Sequence, residues 1–269
     1  MSRRWCIPIT TLALVIGSML AAGAAAAAPL TSHPAAAHAI RPGGVMVRPA
    51  GGARPAARRG RHTEVSSSNW SGYAATGGNG AFHSVSAAWI EPTGTCTSRS
   101  AQYSSFWVGL DGYSSSSVEQ TGTDVDCSGR TAKYYGWYEM YPAYPVNFPN
   151  TVRPGDHLSA SVTFSGSQTY TLVLKDSTQG WTQRVVKNQS GLARSSAEVI
   201  VEAPSSGSGV LPLADFGTVN LSGSTANAAA LGSFNPTEII MVDGSGNDKD
   251  SVTSLSGGEN FSATWLRSN

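Results

Sequence analysis

Short runs of alternating hydrophobic and polar residues dominate the chain from Val65 to the C-terminus. In residues 157–164 every second side chain is apolar, and residues 169–176 repeat the pattern. Alternation with a period of two is typical of β-strands that bury one face. The pattern therefore predicts two antiparallel strands joined by a hairpin turn at residues 165–168.

Helical periodicity is nearly absent from this part of the chain, and Gly, Ser, Asn, Asp and Pro separate the runs. Many short strands with such spacing predict an all-β fold, a β-sandwich of two antiparallel sheets resembling a concanavalin or jelly-roll body. The polar pattern of residues 114–129 is compatible with an ordinary turn region, which leaves their structure open at this point. The further strand candidates are residues 84–92, 104–112, 132–142, 182–188, 197–204, 214–223, 237–246 and 260–268.

The N-terminus divides into two segments that do not belong to this sandwich. Residues 1–28 carry Arg3 and Arg4, then an apolar run, then small residues with several A-x-A sites. That arrangement predicts a cleaved signal peptide, hence secretion and no membrane attachment after its removal. Residues 29–64 are rich in Ala, Pro, Gly and Arg and show no apolar period, so we expect no independent fold. The sandwich domain is predicted to span residues 65–269.

Charge is distributed unevenly along the chain. The net formal charge is +1, but residues 65–269 contain ten Lys and Arg against sixteen Asp and Glu, a charge of −6. Residues 29–64 carry six arginines and a single acid, Glu64. Two interpretations stay open: a solvated linker, or a removable pro-segment that docks on an acidic cleft as an intramolecular inhibitor. An acidic body also argues against binding to nucleic acid.

Two cysteines, Cys96 and Cys127, lie outside the predicted signal peptide. In an oxidising compartment they are expected to form a disulfide. A metal site is not expected, because His83 and His157 are not at ligand spacing from them. No phosphate-binding glycine loop, G-x-S-x-G motif or H-E-x-x-H motif is present, so we expect no cofactor and none of those common hydrolase mechanisms.

Carboxylates and aromatic side chains share strand faces instead. Alternation places Trp137, Glu139 and Tyr141 together, and it places Glu198 and Glu202 on one face of another strand. A glutamate between aromatic residues suits the floor of a cleft better than a closed core. Three functions remain open on this basis: a peptidase, a non-catalytic sandwich that binds carbohydrate or protein, and a glycoside hydrolase using Glu139 and Glu202.

Six short motifs, in order, resemble those of the glutamic peptidases, the eqolisin or peptidase G1 family. The resemblance implies a β-sandwich, a pro-segment, and a secreted endopeptidase that acts on proteins or peptides at acidic pH and is insensitive to pepstatin. We expect it to be a monomer. The motifs are SSSNWSGY (66–73), WVGLDG (107–112), EQTGTD (119–124), WYEMYP (137–142), AEVIVEAP (197–204) and LADFG (213–217).

The resemblance also assigns residues. It implies that Gln120 and Glu202 are catalytic, with Glu119 on the opposite strand face from Gln120. One departure is Tyr135, which stands where fungal members carry an aspartate. The residues that the resemblance places along the substrate cleft are Gly72, Trp107, Asp111, Gly122, Asp124, Trp137, Glu139 and Tyr141.

Those residue types suit peptide hydrolysis, which needs an activated water and a donor to the oxyanion. We expect Glu202 to act as general base and then as proton donor to the leaving amine. Gln120 would hold the water and donate its amide N–H to the oxyanion. An amide keeps this dipole at any pH, whereas a second carboxylate would titrate.

Overall fold

Where the structure describes the chain, its regular elements are β-strands and one short 3₁₀ helix. The computed structural model describes residues 44–48, 58–59 and 62–269, and these residues include no α-helix. The elements are β1 (Arg58–Arg59), β2 (His62–Ser67), β3 (Trp70–Thr76), β4 (Ser84–Ile90), β5 (Gln102–Leu110), β6 (Val118–Ser128), β7 (Thr131–Tyr141), β8 (Val146–Thr151), β9 (His157–Phe164), β10 (Thr169–Asp176), β11 (Trp181–Asn188), β12 (Ser196–Glu202), β13 (Ser205–Ser206), β14 (Gly209–Val210), β15 (Thr218–Ala226), β16 (Ala229–Ala230), the 3₁₀ helix Leu231–Phe234, β17 (Thr237–Met241), β18 (Asp250–Val252) and β19 (Phe261–Trp265).

Two large sheets contain nearly all of these strands. The nine-stranded site sheet has the order β1-β2-β17-β3-β12-β5-β6-β7-β8, and the eight-stranded back sheet has the order β11-β10-β9-β4-β15-β19-β18, with β16 beside β15. Their strand pairs are antiparallel except β2 with β17, which run parallel. The predicted fold class, a β-sandwich of two largely antiparallel sheets, is confirmed.

The main core lies between the two sheets and follows from the alternation in the sequence. The hairpin predicted at 165–168 joins β9 to β10, and Leu158 and Leu172 point inward and are buried. From the site sheet, Val108 and Val199 meet them. Burying such side chains contributes roughly 1.5–3 kcal/mol each, which stabilises the pairing of the two sheets.

The site sheet is buried on its other face as well. In β12 every residue is buried, and in β6 every residue except Ser128 is buried. A second apolar cluster, centred on Trp70, Trp107 and Trp137, covers this outer face. Residues 114–129 are therefore not simply a turn region, because most of them form β6, an interior strand of the site sheet.

The disulfide predicted between Cys96 and Cys127 is present, with 5.4 Å between the Cα atoms. It ties the loop after β4 to the end of β6. Closing a loop of this length restricts the unfolded chain and contributes about 4 kcal/mol in the chain-entropy treatment. The bond therefore anchors the strand that carries Gln120.

The predicted signal peptide, residues 1–28, lies outside the described residues. Of the predicted pro-segment, residues 44–48, 58–59 and 62–64 are described, and β2 runs across the predicted boundary at residue 64. Within the described ranges, no helix has the length and apolar character needed to cross a bilayer.

Candidate active site

Backbone pairing aligns the candidate residues in three rows across β3, β12, β5, β6 and β7. Directly paired residues in neighbouring strands point to the same face of a sheet, so each row shares one face. That face is the outer one, opposite the main core. The first row is Trp70, Glu202, Ser105, Asp124 and Tyr135; the second is Gly72, Ile200, Trp107, Gly122 and Trp137; the third is Ala74, Glu198, Gly109, Gln120 and Glu139.

Glu202 lies at the end of β12 and is fully buried. The indole Nε1–H of Trp107 donates to its Oε2 at 2.8 Å, and the side-chain amide of Asn69 donates to its Oε1 at 3.2 Å. Because one donor binds each oxygen, the two bonds hold the carboxyl group in one orientation.

Gln120 lies on β6 and is also fully buried. Its Nε2 donates to Oε2 of Glu139 at 2.8 Å, across the β6–β7 pair. Gln120 and Glu202 belong to the two outer rows, and the row of Trp107 runs between them. The fold thus brings the two predicted catalytic residues to one face, with the Trp107 ring in the row that separates them.

Three tryptophans line this face, and all are fully buried. Trp70 and Trp107 meet edge to face, with ring centroids 4.9 Å apart. Gly122 lies between Trp107 and Trp137 in its row; a Cβ there would lie 2.1 Å from the Phe106 carbonyl oxygen. With the segment around Met46 packed on this face, none of the three rings is exposed to solvent in the described structure.

Asp124 is held in a buried cluster. Nε1 of Trp137 donates to its Oδ1 at 2.6 Å, and the Tyr135 hydroxyl lies 2.9 Å from its Oδ2 and 2.7 Å from Oδ2 of Asp126. One hydroxyl carries one proton, so both contacts are complete only when one carboxyl group is protonated. Burial, reinforced by the Asp126 charge, raises the pKa of Asp124 well above its usual value, and burial raises the pKa of Asp126 to about 7.

A segment from the N-terminal part of the chain covers this face. The main-chain N–H of Gly44 donates to Oε1 of Glu202 at 3.2 Å. Two positions on, the Met46 side chain is buried in the cluster formed by the tryptophans. Tyr141 lies beside the segment, and together with Gly44, Val45 and Val47 it lines a cavity of about 290 Å³.

The chain matches the family model described as the Peptidase A4 family over residues 68–265. The chain belongs to the peptidase A4 family. The matched range contains every predicted catalytic and cleft residue, from Gly72 to Glu202, and it excludes the segment that covers them.

Among curated relatives, aspergillopepsin-2 of Aspergillus niger is 30% identical over 146 residues, which are 52% of this chain and 51% of the relative. The chain thus aligns with about half the length of that relative. A solved structure of scytalido-glutamic peptidase with a peptide-based transition-state analogue is 27% identical, with a TM-score of 0.63, covering 74% of this chain and 98% of that one. The structure of aspergilloglutamic peptidase from A. niger is 26% identical, with a TM-score of 0.56, covering 61% and 99%.

Two of the residues assigned to the cleft of this peptidase A4 member have a clear backbone role. Asp111 is buried at the end of β5, where its carboxylate accepts the backbone N–H groups of Arg194 at 2.6 Å and Ser195 at 2.8 Å. It therefore anchors the loop that leads into β12. Gly72 has a φ of 123°, and a Cβ there would lie 2.3 Å from the Val199 carbonyl oxygen. Only glycine fits this position without strain.

Sequence reasoning missed Asn69 and Asp126, which both touch the site. Asn69 is fully buried and contacts Glu202, and Asp126 shares the Tyr135 hydroxyl with Asp124. The available signal for Asp126 was its spacing from Asp124, because two residues two positions apart on a strand share a face. Tyr135, which departs from the family pattern, contacts both aspartates. Across the described ranges, no group of His, Cys, Asp and Glu is arranged to hold a metal ion.

Proposed function

We propose that this chain is a secreted, acid-active endopeptidase that hydrolyses peptide bonds with Glu202 and Gln120 and is made as a precursor. Membership of the peptidase A4 family supports the reaction class. The observation that carries the assignment to this site is the buried Glu202 carboxylate, held by Trp107 and Asn69 and facing the main chain of an extended segment. Glu202 therefore lies where it can act on a peptide group.

The reaction follows from the chemistry of the two side chains. Glu202 takes a proton from a water molecule while the water oxygen bonds to the substrate carbonyl carbon, giving a tetrahedral oxyanion. The Gln120 amide N–H stabilises that oxyanion. The C–N bond then breaks, and Glu202 returns its proton to the leaving amine nitrogen. Acid, amine and the regenerated carboxylate are the products.

Acidic pH preserves the site around Asp124. Asp124 and Asp126 share the Tyr135 hydroxyl, and Asp124 holds the Trp137 indole. When the pH rises through about 7, Asp126 loses its proton, and its charge raises the pKa of the buried Asp124 carboxyl group further. Loss of the Asp124 proton at higher pH would place two negative charges side by side and disturb Trp137, so we expect activity to be lost as the pH rises above about 7.

The first prediction concerns the catalytic pair. Glu202→Gln should abolish hydrolysis of acid-denatured casein at pH 3–4 in the presence of pepstatin, and Gln120→Ala should lower kcat about 10²–10³-fold. Glu259→Gln, in the turn before β19, is the matched control and should retain wild-type rates. A folded Glu202→Gln variant with near wild-type turnover would refute the assignment and make Glu139 the next residue to test.

The segment Gly44–Arg48 supports the proposal of an inhibitory pro-segment. It covers Glu202 with a backbone N–H and buries Met46 beside Trp70 and Trp107. Within this segment the contact to Glu202 is not an arginine, since Arg48 lies over the Tyr113 ring at 5.9 Å. Main-chain pairing and apolar burial, rather than attraction between this arginine and the cleft acids, therefore seat these residues.

The second prediction tests whether burial of Met46 or the charge of Arg48 holds the segment on the site. Met46→Asp places a carboxyl group in an apolar pocket and should raise the initial activity of the uncleaved precursor at least 10-fold. Arg48→Ala is the control and should leave the precursor as inactive as wild type. The assay is hydrolysis of a quenched fluorescent peptide within the first minutes after acidification, with the precursor band followed on a gel. Full activity of the intact wild-type precursor at pH 4 would contradict the inhibitory role.

A further inference from the structure

The main chain around Met46 is bound along both of its edges. On one edge the Met46 N–H donates to the Gly112 carbonyl oxygen at 3.1 Å. On the other edge, the Val47 N–H donates to Oδ1 of Asn69 at 2.7 Å, and Nδ2 of Asn69 donates to the Val45 carbonyl oxygen at 3.2 Å. In an extended chain, the C=O before a residue and the N–H after it point to the same side. Asn69 therefore binds the segment as a neighbouring strand would.

The orientation of the Asn69 amide follows from its partners. The Val47 N–H can only donate, so the atom that faces it must be oxygen, and the Val45 carbonyl can only accept, so the atom that faces it must be nitrogen. The same Nδ2 donates its second hydrogen to Oε1 of Glu202 at 3.2 Å. One buried side chain thus contacts the bound main chain and the carboxylate proposed as general base.

Met46 lies between the two residues that bond to Asn69, and its side chain is the one that enters the site. Met46 is 8% exposed, whereas Val47 is 39% exposed, as alternation in an extended chain requires. The Met46 side chain is buried in an apolar cluster on the outer face of the site sheet. The residues of that cluster are Trp70, Ala74, Trp107, Val118, Trp137, Ile200 and Ile239.

We propose that Asn69 is a substrate-binding residue, and that substrates of this peptidase follow the track of Val45–Val47. The inference rests on the proposed function, because it assigns a role in the same reaction. The substrate is an extended peptide with an apolar residue of methionine size in the Met46 pocket and a residue other than proline after it. Proline would lack the N–H that Oδ1 of Asn69 accepts.

The third prediction concerns variants of Asn69 in the mature enzyme, released by limited proteolysis in the basic segment if self-processing fails. Asn69→Ala removes both main-chain bonds, so kcat/KM should fall roughly 10- to 100-fold, with KM carrying part of the loss. Asn69→Asp presents oxygen to the substrate carbonyl and to Glu202 unless it is protonated. Its kcat/KM relative to wild type should therefore fall as the pH rises and the new carboxyl group ionises.

Asn220→Asp, on the exposed face of the back sheet, is the matched control and should keep the wild-type pH profile. A residue that only supports the turn before β3 would lower the amount of folded enzyme without changing KM or this pH dependence. The proposal would be overturned if folded Asn69 variants had an unchanged KM and if kcat/KM of Asn69→Asp relative to wild type did not vary with pH. If Glu202→Gln is inactive while the Asn69 variants behave as wild type, the proposed function stands and only this inference fails.

A peptide probe tests the main-chain contact directly. The capped peptide Gly-Val-Met-Val-Arg, the sequence of residues 44–48, should compete with the substrate. N-methylation at Val47 removes the N–H that Asn69 accepts and should raise the inhibition constant at least 10-fold; N-methylation at Arg48 is the control. In Asn69→Ala the two methylated peptides should inhibit equally. An equal penalty for Val47 methylation in wild type and Asn69→Ala would refute the contact.

Discussion

Gly122 shows how a single missing side chain shapes this site. It lies between Trp107 and Trp137 in one row of the site sheet, and any Cβ would collide with the Phe106 carbonyl oxygen and with Trp107. The nearest obstacle is backbone at 2.1 Å, which cannot rotate away as a flexible side chain would. Close packing of the two indoles against β6 therefore depends on this glycine.

The fourth prediction follows from that contact. Gly122→Ala should lower the free energy of unfolding by about 3 kcal/mol or more, because relief requires a shift of β5 against β6. Gly78→Ala is the control: a Cβ there meets nothing within 4 Å, so its stability should stay within about 1 kcal/mol of wild type. Denaturant unfolding at pH 4, in the inactive Glu202→Gln background, measures both. Equal stability of the two variants would show that the strands adjust freely.

The neighbouring polar residues Glu119 and Gln120 lie on opposite faces of β6 and have different surroundings. Glu119 lies on the opposite face of β6 from Gln120, as expected, and pairs with Leu110, whose side chain is in the main core. Gln120 instead bonds to Glu139 across the outer face. Neighbouring acid and amide side chains thus belong to separate environments, and only the outer one contributes to the proposed chemistry.

At the scale of the element, β6 explains why hydrophobic patterning failed where the site lies. Its buried core-facing positions include Thr123, whose hydroxyl donates to Glu91 at 2.6 Å, and its outer positions include Gln120 and Asp124. Buried polar residues with partners do not alternate with exposed ones, so the strand looks like a turn region in sequence. In contrast, β9 and β10 bury apolar side chains on one face and were predicted correctly.

The edge of the site sheet also depends on a distant part of the chain. β2 pairs in parallel with β17, and β17 pairs with β3, so residues around 64 and 238 become neighbours. No local signal in the sequence predicts a pairing between segments so far apart. It fixes the position of Ser67, the last residue of β2, and of Asn69 two positions on, and both contact the segment Gly44–Arg48.

At the scale of the whole molecule, buried carboxyl groups couple folding to pH. Burial raises the pKa of Glu91 to about 8, although Thr123 and Trp89 donate to it, and burial raises the pKa of Glu119 to about 9. Within the described part of the chain, neither oxygen of Glu119 has a hydrogen-bond partner. Both groups therefore favour the protonated form in the folded state.

The sign of the effect follows from proton binding. Between about pH 4.5 and pH 8 the folded protein keeps these protons, and the unfolded chain has lost them. The free energy of unfolding should therefore be highest below pH 4.5 and fall by on the order of several kcal/mol as the pH rises to 8. A protein with this balance is stabilised in the acidic range where we propose that it acts.

The fifth prediction isolates one of these groups. Glu119→Gln keeps the shape of the side chain but does not ionise, so the variant should match wild type at pH 4 and exceed its stability at pH 8 by on the order of 2–4 kcal/mol. Denaturant unfolding at the two pH values, again with Glu202→Gln, is the measurement. Glu259→Gln should parallel wild type. Identical pH slopes for Glu119→Gln and wild type would show that Glu119 ionises freely in the fold.

The sequence by itself determined the fold class and the identity of the candidate dyad. Alternation reports which strand faces are apolar, and six ordered motifs carried the resemblance that selected Gln120 and Glu202. The Cys96–Cys127 bond was also accessible, since only two cysteines lie outside the predicted signal peptide. Each of these conclusions depends on residue type and local spacing, which a sequence contains in full.

The tertiary structure alone decided how these residues meet. The register of β12, β5, β6 and β7 places Trp107 in the row between Gln120 and Glu202, and the parallel addition of β2 brings Asn69 to Glu202. It also decided that a methionine and backbone N–H groups of Gly44–Arg48 cover the site. Such contacts join residues up to 158 positions apart in the chain, and their geometry depends on strand pairing and packing rather than on local pattern.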